Sequence, residues 1–342
     1  MISYSISKKV RQVQYDNIDY QNGSRELRAY ESVDIIKSRY SIKHGGTLNT
    51  TNATAIAMSI RQGRNLLESA IHSDYVDKPV KLYYALTSFM RAEIMYSCRK
   101  SESALVNKHG LELTSLPIKC NNISDLLNID LNYIGGGYSD WHSGTQHSMQ
   151  LRQGSSAPTT TISIIASIES RHITLISLLR LMPDIWKELE YITGVHIAKL
   201  KHFTYDPEGV SIFEGFGDLS EQQIKSYLLP ELHASLKAVD MQKWELSQPS
   251  LVFEPQLIQG NNGPFGLGDI TIGDHNDGVR LTTLGIYVSI AYILSMIARY
   301  RPSIWGSIWN LGELDAAQPL LSQVMIEIQN HVAIEFYYSL TK

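Results

Sequence analysis

The sequence is poor in charge and poor in cysteine. Only 19% of its 342 residues are Asp, Glu, Lys or Arg, against about a quarter in an average globular chain. So little charge fits a chain that hides surface in internal helix contacts or against a partner protein or second copy, and equally a compact monomer with a Ser/Asn/Gln-rich surface. A protein partner or homo-oligomer is expected. Thirty basic residues against thirty-four acidic ones give a formal charge of −4. This balance lacks the broad positive field of non-specific duplex binders, so nucleic acid is not the favoured partner. Cys98 and Cys120 are the two cysteines and form no CxxC. That spacing argues against a disulfide framework and a cysteine-based zinc site, and the expected compartment is the reducing cytoplasm.

Several signatures are also missing. The N-terminus carries Lys8, Lys9 and Arg11 without an apolar stretch and cleavage site, so no secretory leader is expected. There is no GxxxxGK[ST] and no GxSxG, and "GPFGLGD" is not a GxGxxG set between a strand and a helix. No period of twenty to fifty residues recurs, which disfavours solenoids and propellers. "DWHSGTQH" offers Asp140, His142 and His147, but histidines five apart across a glycine fit neither a helical nor a hairpin zinc pair. "GDHNDG" at 273–278 lacks the alternating ligands and final glutamate of a calcium loop and reads as a turn. Neither metal nor cofactor is expected. The short Arg-to-His spacing of helical ribonucleases is also unmet, since Arg64 and His72 are separated by seven residues and Arg99 and His109 by nine.

What is present begins with one long uncharged run. "LTTLGIYVSIAYILSMIA", residues 281–298, is followed at once by Arg299, Tyr300, Arg301 and Pro302. Its eighteen residues sit at the lower limit for crossing a ~30 Å hydrocarbon layer. Thr282, Thr283, Gly285, Tyr287, Ser289, Tyr292 and Ser295 dilute it, and no other span exists to pair with it. A helix apolar nearly all round belongs in the middle of a helical protein, so a buried core helix and no membrane role are expected.

From Asn52 onward, Ala57, Ile60, Leu67 and Ile71 form a helical face, with Asn52 or Thr54 as the expected cap. A second helix follows, with Pro79 in its first turn and Tyr83, Leu86, Met90 and Ile94 on one face. The two read as an αα-hairpin. Asn22-Gly23 reads as a turn. Residues 110–160, punctuated by Pro117 and Gly135-Gly136-Gly137, are expected to hold loops and short strands. Helical pattern returns over 162–194, broken at Pro183 and closed by Gly194. Strand-like alternation with Gly-rich turns, including Asp206-Pro207-Glu208-Gly209, then marks a β-containing insert over 194–275. The expected organisation is a helical region 1–193, the insert 194–275, and C-terminal helices 276–342 that complete the helical core. The fold class is mainly α (α+β), with a small sheet packed against the helices.

The residues that could carry chemistry are cations and phenols set among apolar positions. Arg61 and Arg64 lie one turn apart on the first helix, while Tyr84, Ser88 and Arg91 form a polar stripe on the second. Arg299 and Arg301 end the apolar run. A guanidinium beside a core must find a carboxylate, helix carbonyls or an anionic ligand. Arg61, Arg64, Tyr84, Arg91, His109, Arg299 and Arg301 are therefore the candidate ligand-binding set, with His109 the candidate for proton transfer.

The blocks "RQGRNLLESA", "KPVKLYYALTSFMRAEI" and "HGLEL", followed by "LSMIARYRPSIWGSIW" near the C-terminus, resemble YaaC-like bacterial proteins. The family's motif positions fall here on Gln62, Arg64, Lys78, Pro79, Tyr83, Tyr84, His109, Gly110, Ser295, Arg299, Tyr300, Pro302 and Trp305. Arg91 stands where lysine is usual in that family. The resemblance implies a bacterial protein with a core helix and brings no reaction with it. Two functions fit: a binding or interaction module, sensing a phosphate-bearing anion beside Arg64, His109 and Arg299, or a nucleotide- or nucleic-acid-processing effector of bacterial defence.

Overall fold

The structure, a computed structural model, describes residues 20–144, 168–194, Gln222, Leu281 and 283–341, together with the backbone of six strands between 199 and 271. Asn22-Gly23 does not turn. It lies inside α1 (Tyr20–Ala29), because a Cβ on Gly23 would meet the Ile334 backbone nitrogen at 2.7 Å. Its glycine permits close approach of the chain's last helix rather than reversal of the chain. Helix α2 (Val33–His44) is capped by the Ser32 side chain and stopped by Gly45 in the left-handed conformation.

The expected helical pair is present as α3 (Thr50–Ile71) and α4 (Lys78–Ser97), which pack on each other. The cap of α3 is Asn49, whose side chain accepts from the Asn52 amide at 2.8 Å. The helix thus starts earlier than its apolar period does. A Cβ on Gly63 would lie 2.6 Å from the Phe89 ring, so this glycine sets how near α4 comes.

After α4 comes a three-stranded antiparallel sheet of β1 (Leu111–Leu113), β2 (Asp130–Tyr133) and β3 (His172–Thr174), with the helix α5 (Ile123–Leu127) between β1 and β2. Helix α6 (Gly137–Gly144) follows β2. Residues 172–174 are a strand where a helical pattern is expected, since they complete the β2 edge in the register Leu131↔Ile173. Thr174 then caps α7 (Leu175–Arg180), and α8 (Trp186–Thr193) closes on Gly194 with φ +65. Six further strands, β4 (Lys199–Tyr205), β5 (Ser211–Phe216), β6 (Leu236–Asp240), β7 (Lys243–Leu246), β8 (Ile258–Gln259) and β9 (Ile270–Thr271), form an antiparallel sheet in the order β6-β7-β5-β4-β9-β8. The Asp206–Gly209 turn and the 273–278 segment lie outside the described residues.

The uncharged run becomes α9 (Thr283–Tyr300), followed by α10 (Pro302–Trp309) and α11 (Gln318–Thr341). Every residue of α9 from Leu284 to Ser295 is buried. The helix packs on α4, α7 and α11, and each buried Ile or Leu contributes on the order of 1.5–3 kcal/mol. Its polar groups are matched internally. Ser289 donates to the Gly285 carbonyl at 2.8 Å and accepts from the Tyr133 hydroxyl at 2.9 Å, and Tyr138 donates to the same carbonyl at 3.2 Å. No helix of the described residues is long and apolar enough to cross a membrane.

Candidate functional site

The candidate arginines meet their need for partners in different ways. Arg61 and Arg64 converge on one carboxylate, Glu31, between α1 and α2; the Arg61 Nε lies 3.0 Å from it and Arg64 binds its other oxygen. Arg64 also reaches Glu68 at 3.2 Å. Burial alone would raise the Glu31 carboxyl, but hydrogen bonds from Arg64 and Arg61 outweigh it and hold the group below its ordinary value. Arg91 stands 3.8 Å from Glu102 in an exposed pair. Arg301 donates to the Pro117 carbonyl at 2.9 Å and the Leu116 carbonyl at 3.1 Å, clipping the segment before α5 to the start of α10.

Arg299 differs from the others. No carboxylate among the described residues pairs with it. Its Nε donates to the Ser295 carbonyl at 3.2 Å, which keeps the stem along the last turn of α9. Its Nη1 donates to the Tyr84 hydroxyl on α4 at 3.2 Å. The guanidinium carbon lies 5.7 Å from the Tyr84 ring centroid and 5.2 Å from that of Tyr300, so two phenol rings share one cation. Tyr84 is 39% exposed and Tyr300 55%, which leaves the group open to solvent.

His109 joins the same cluster. The Tyr83 hydroxyl lies 2.8 Å from its Nδ1, and the rings of Tyr83 and Tyr292 pack beside the imidazole at 5.5 and 6.4 Å. Tyr83 is buried in the α4 core, whereas His109 is exposed. Burial pushes the Tyr83 phenol far above its ordinary value and keeps it protonated. Partial desolvation of the imidazole against the Tyr83 and Tyr292 rings, and then the Arg299 charge, hold His109 below its ordinary value and favour the neutral ring. In the tautomer where Tyr83 donates to Nδ1, Nε2 carries the ring proton, and no described residue takes that donor.

A backbone seat fixes His109. The amide of Gly137 donates to the Lys108 carbonyl at 2.8 Å, that of Tyr138 to the His109 carbonyl at 2.9 Å, and that of Ile134 to the Gly110 carbonyl at 3.0 Å. Gly110 has φ +82, and a Cβ on Gly136 would stand 2.6 Å from its nitrogen. Two glycines are required for the strands of backbone to come this close.

The structure therefore joins Arg299 to Tyr84 directly and to His109 by way of the Tyr83 ring, and places Arg61, Arg64, Arg91 and Arg301 in other contacts. Residue chemistry alone missed Glu31, Tyr292 and the Gly135-Gly136-Gly137 seat. The glycine triplet was the one signal available for the seat. Of the weighed metal residues, Asp140 pairs with Lys100 at 3.0 Å and His142 is buried against Tyr138, while His147 lies outside the described residues. No group of three or more His, Cys, Asp or Glu among the described residues is placed to hold a metal ion.

The two sequence blocks also meet outside this cluster. The Trp305 indole donates to the Tyr75 carbonyl at 3.1 Å, the Lys78 ammonium lies 5.6 Å over the Tyr75 ring, and Trp309 stacks on that ring at 4.1 Å.

Fold and site together define a mainly helical protein with a buried α9 and a solvent-facing cation at its end. The chain matches the YaaC-like Protein family over residues 25–339 and belongs to it. No curated protein and no solved structure matches the chain.

Proposed function

We propose that the chain is a cytoplasmic binding module that takes up a phosphate-bearing anion at Arg299, with Tyr84 and His109 as the accompanying polar groups. One observation carries this reading: Arg299 is a partly exposed guanidinium held by carbonyl and phenol oxygens, with no carboxylate among the described residues to neutralise it. In the tautomer where Tyr83 donates to Nδ1, the Nε2–H of His109 adds a second donor. Guanidinium-to-phosphate hydrogen bonds are among the stronger ones available to a protein. The two free thiols, Cys98 and Cys120, fit a reducing compartment. Binding of a protein partner, or of a second copy, belongs to the same proposal and is supported by exposed Ile118 and Tyr300 near the Arg301 clip.

Calorimetric titration of the full chain with inorganic phosphate tests it. The native protein should bind, and Arg299→Gln should bind at least about tenfold more weakly while melting at the same temperature. Equal affinity in the two proteins would remove Arg299 from the site.

A second reading has one observation behind it, an exposed imidazole, His109, hydrogen-bonded to Tyr83, whose neighbour Tyr84 holds Arg299. In a nucleotide-processing enzyme the other tautomer would serve, with Nδ1–H donating to the Tyr83 hydroxyl and a bare Nε2 taking the nucleophile's proton, while Arg299 stabilises phosphate charge. Release of product that disappears in His109→Ala, with phosphate binding retained, would select this reading over simple binding.

A further inference from the structure

We infer that the ligand at Arg299 is a mononucleotide, with its phosphate on Arg299 and His109 and its base stacked on Tyr300. The inference rests on the anion-binding reading and adds the base to it. Inorganic phosphate is satisfied by a cation and hydrogen-bond donors, and it gains nothing from an exposed aromatic face. Here the cation lies over two such faces. The guanidinium carbon lies 5.2 Å from the Tyr300 centroid and 5.7 Å from the Tyr84 centroid.

Tyr300 is the better platform. It is 55% exposed and no described hydrogen bond engages its hydroxyl, whereas the Tyr84 hydroxyl is occupied by Arg299. Its covered face carries the Arg299 charge, so a base on the other face would extend a stack of guanidinium, phenol and base. Stacking of this kind is tolerant of base identity, because every base has a π-face. The position of Tyr300 directly after Arg299 fixes phosphate site and platform to each other at the end of one rigid helix.

Cation and aromatic face match two parts of a nucleotide, its phosphate and its base.

The test is calorimetric titration of the full chain with four probes: inorganic phosphate, ribose 5-phosphate, adenosine and adenosine 5′-monophosphate. The monophosphate should bind at least about tenfold more tightly than ribose 5-phosphate. Tyr300→Ala, a change at an exposed ring, should erase that difference, so that the two phosphates bind the variant alike. If the two phosphates bind equally in the native protein, the base platform is wrong and the anion site stands. If adenosine binds as tightly as its monophosphate, or if no phosphate binds, the anion site itself is wrong.

Discussion

The Arg299 guanidinium and the Tyr84 hydroxyl meet at 3.2 Å, across 215 positions of sequence, and join the end of α9 to the exposed side of α4. The bond positions the guanidinium without neutralising it. Tyr84→Phe keeps the ring under the cation and removes only the oxygen. Phosphate affinity should fall about three- to tenfold, the effect of one modest hydrogen bond, with little change in melting temperature because the bond is exposed. Unchanged affinity in calorimetry would mean that Arg299 needs no such support.

His109 should titrate below the ordinary histidine value of about 6.5, for two reasons, burial first and the Arg299 charge second. The sign follows from linkage. A folded-state value below the unfolded one means that the unfolded chain binds the proton more readily, so this residue's contribution to stability falls as pH drops below about 6.5. Arg299→Gln should move the imidazole resonance of His109 to a higher titration midpoint in NMR. No movement would show that the Arg299 charge does not reach the ring.

Gly136→Ala should disturb the backbone seat more than an ordinary surface change does. The added methyl would stand 2.6 Å from the Gly110 nitrogen and 2.7 Å from its Cα, and backbone cannot rotate aside as a side chain does. A loss of about 1–3 kcal/mol is expected, together with displaced His109 resonances. A variant as stable as the native chain, with His109 unmoved, would mean that the 108–110 segment shifts freely.

Glu31→Gln should weaken folding by about 1.5–3 kcal/mol near neutral pH, since two guanidinium groups lose their shared charge. Because the native carboxyl is held below its ordinary value, its contribution is present above about pH 4.3 and lost as pH falls through the native value. The stability gap between native and variant, measured by urea unfolding, should therefore close in acid. A gap that persists at low pH would assign the effect to packing.

Local chemistry made the helices legible. The apolar spacing in α3 and α4, Pro79 at the start of α4 and the uncharged length of α9 each state a helix in a handful of neighbouring residues. Even so, Asn49 caps α3 where Asn52 or Thr54 reads as the cap, because a cap precedes the helical period and leaves no periodic trace. Residues 172–174 became a strand because β2 offered an open edge, which is a contact between distant segments. Gly23 shows the same limit. Its neighbours mark a turn, and only the nearness of Ile334 explains why it sits in a helix.

For the site, residue types alone identified the cations and phenols, since a guanidinium beside an apolar run has to be compensated somehow. Which compensation each one finds was left to tertiary structure. Arg64 and Arg299 are alike as residues; Glu31 waits beside the first, and Tyr84, His109 and Tyr300 surround the second. Pairing energy depends on distance and burial in three dimensions, and neither quantity is written in the order of the chain.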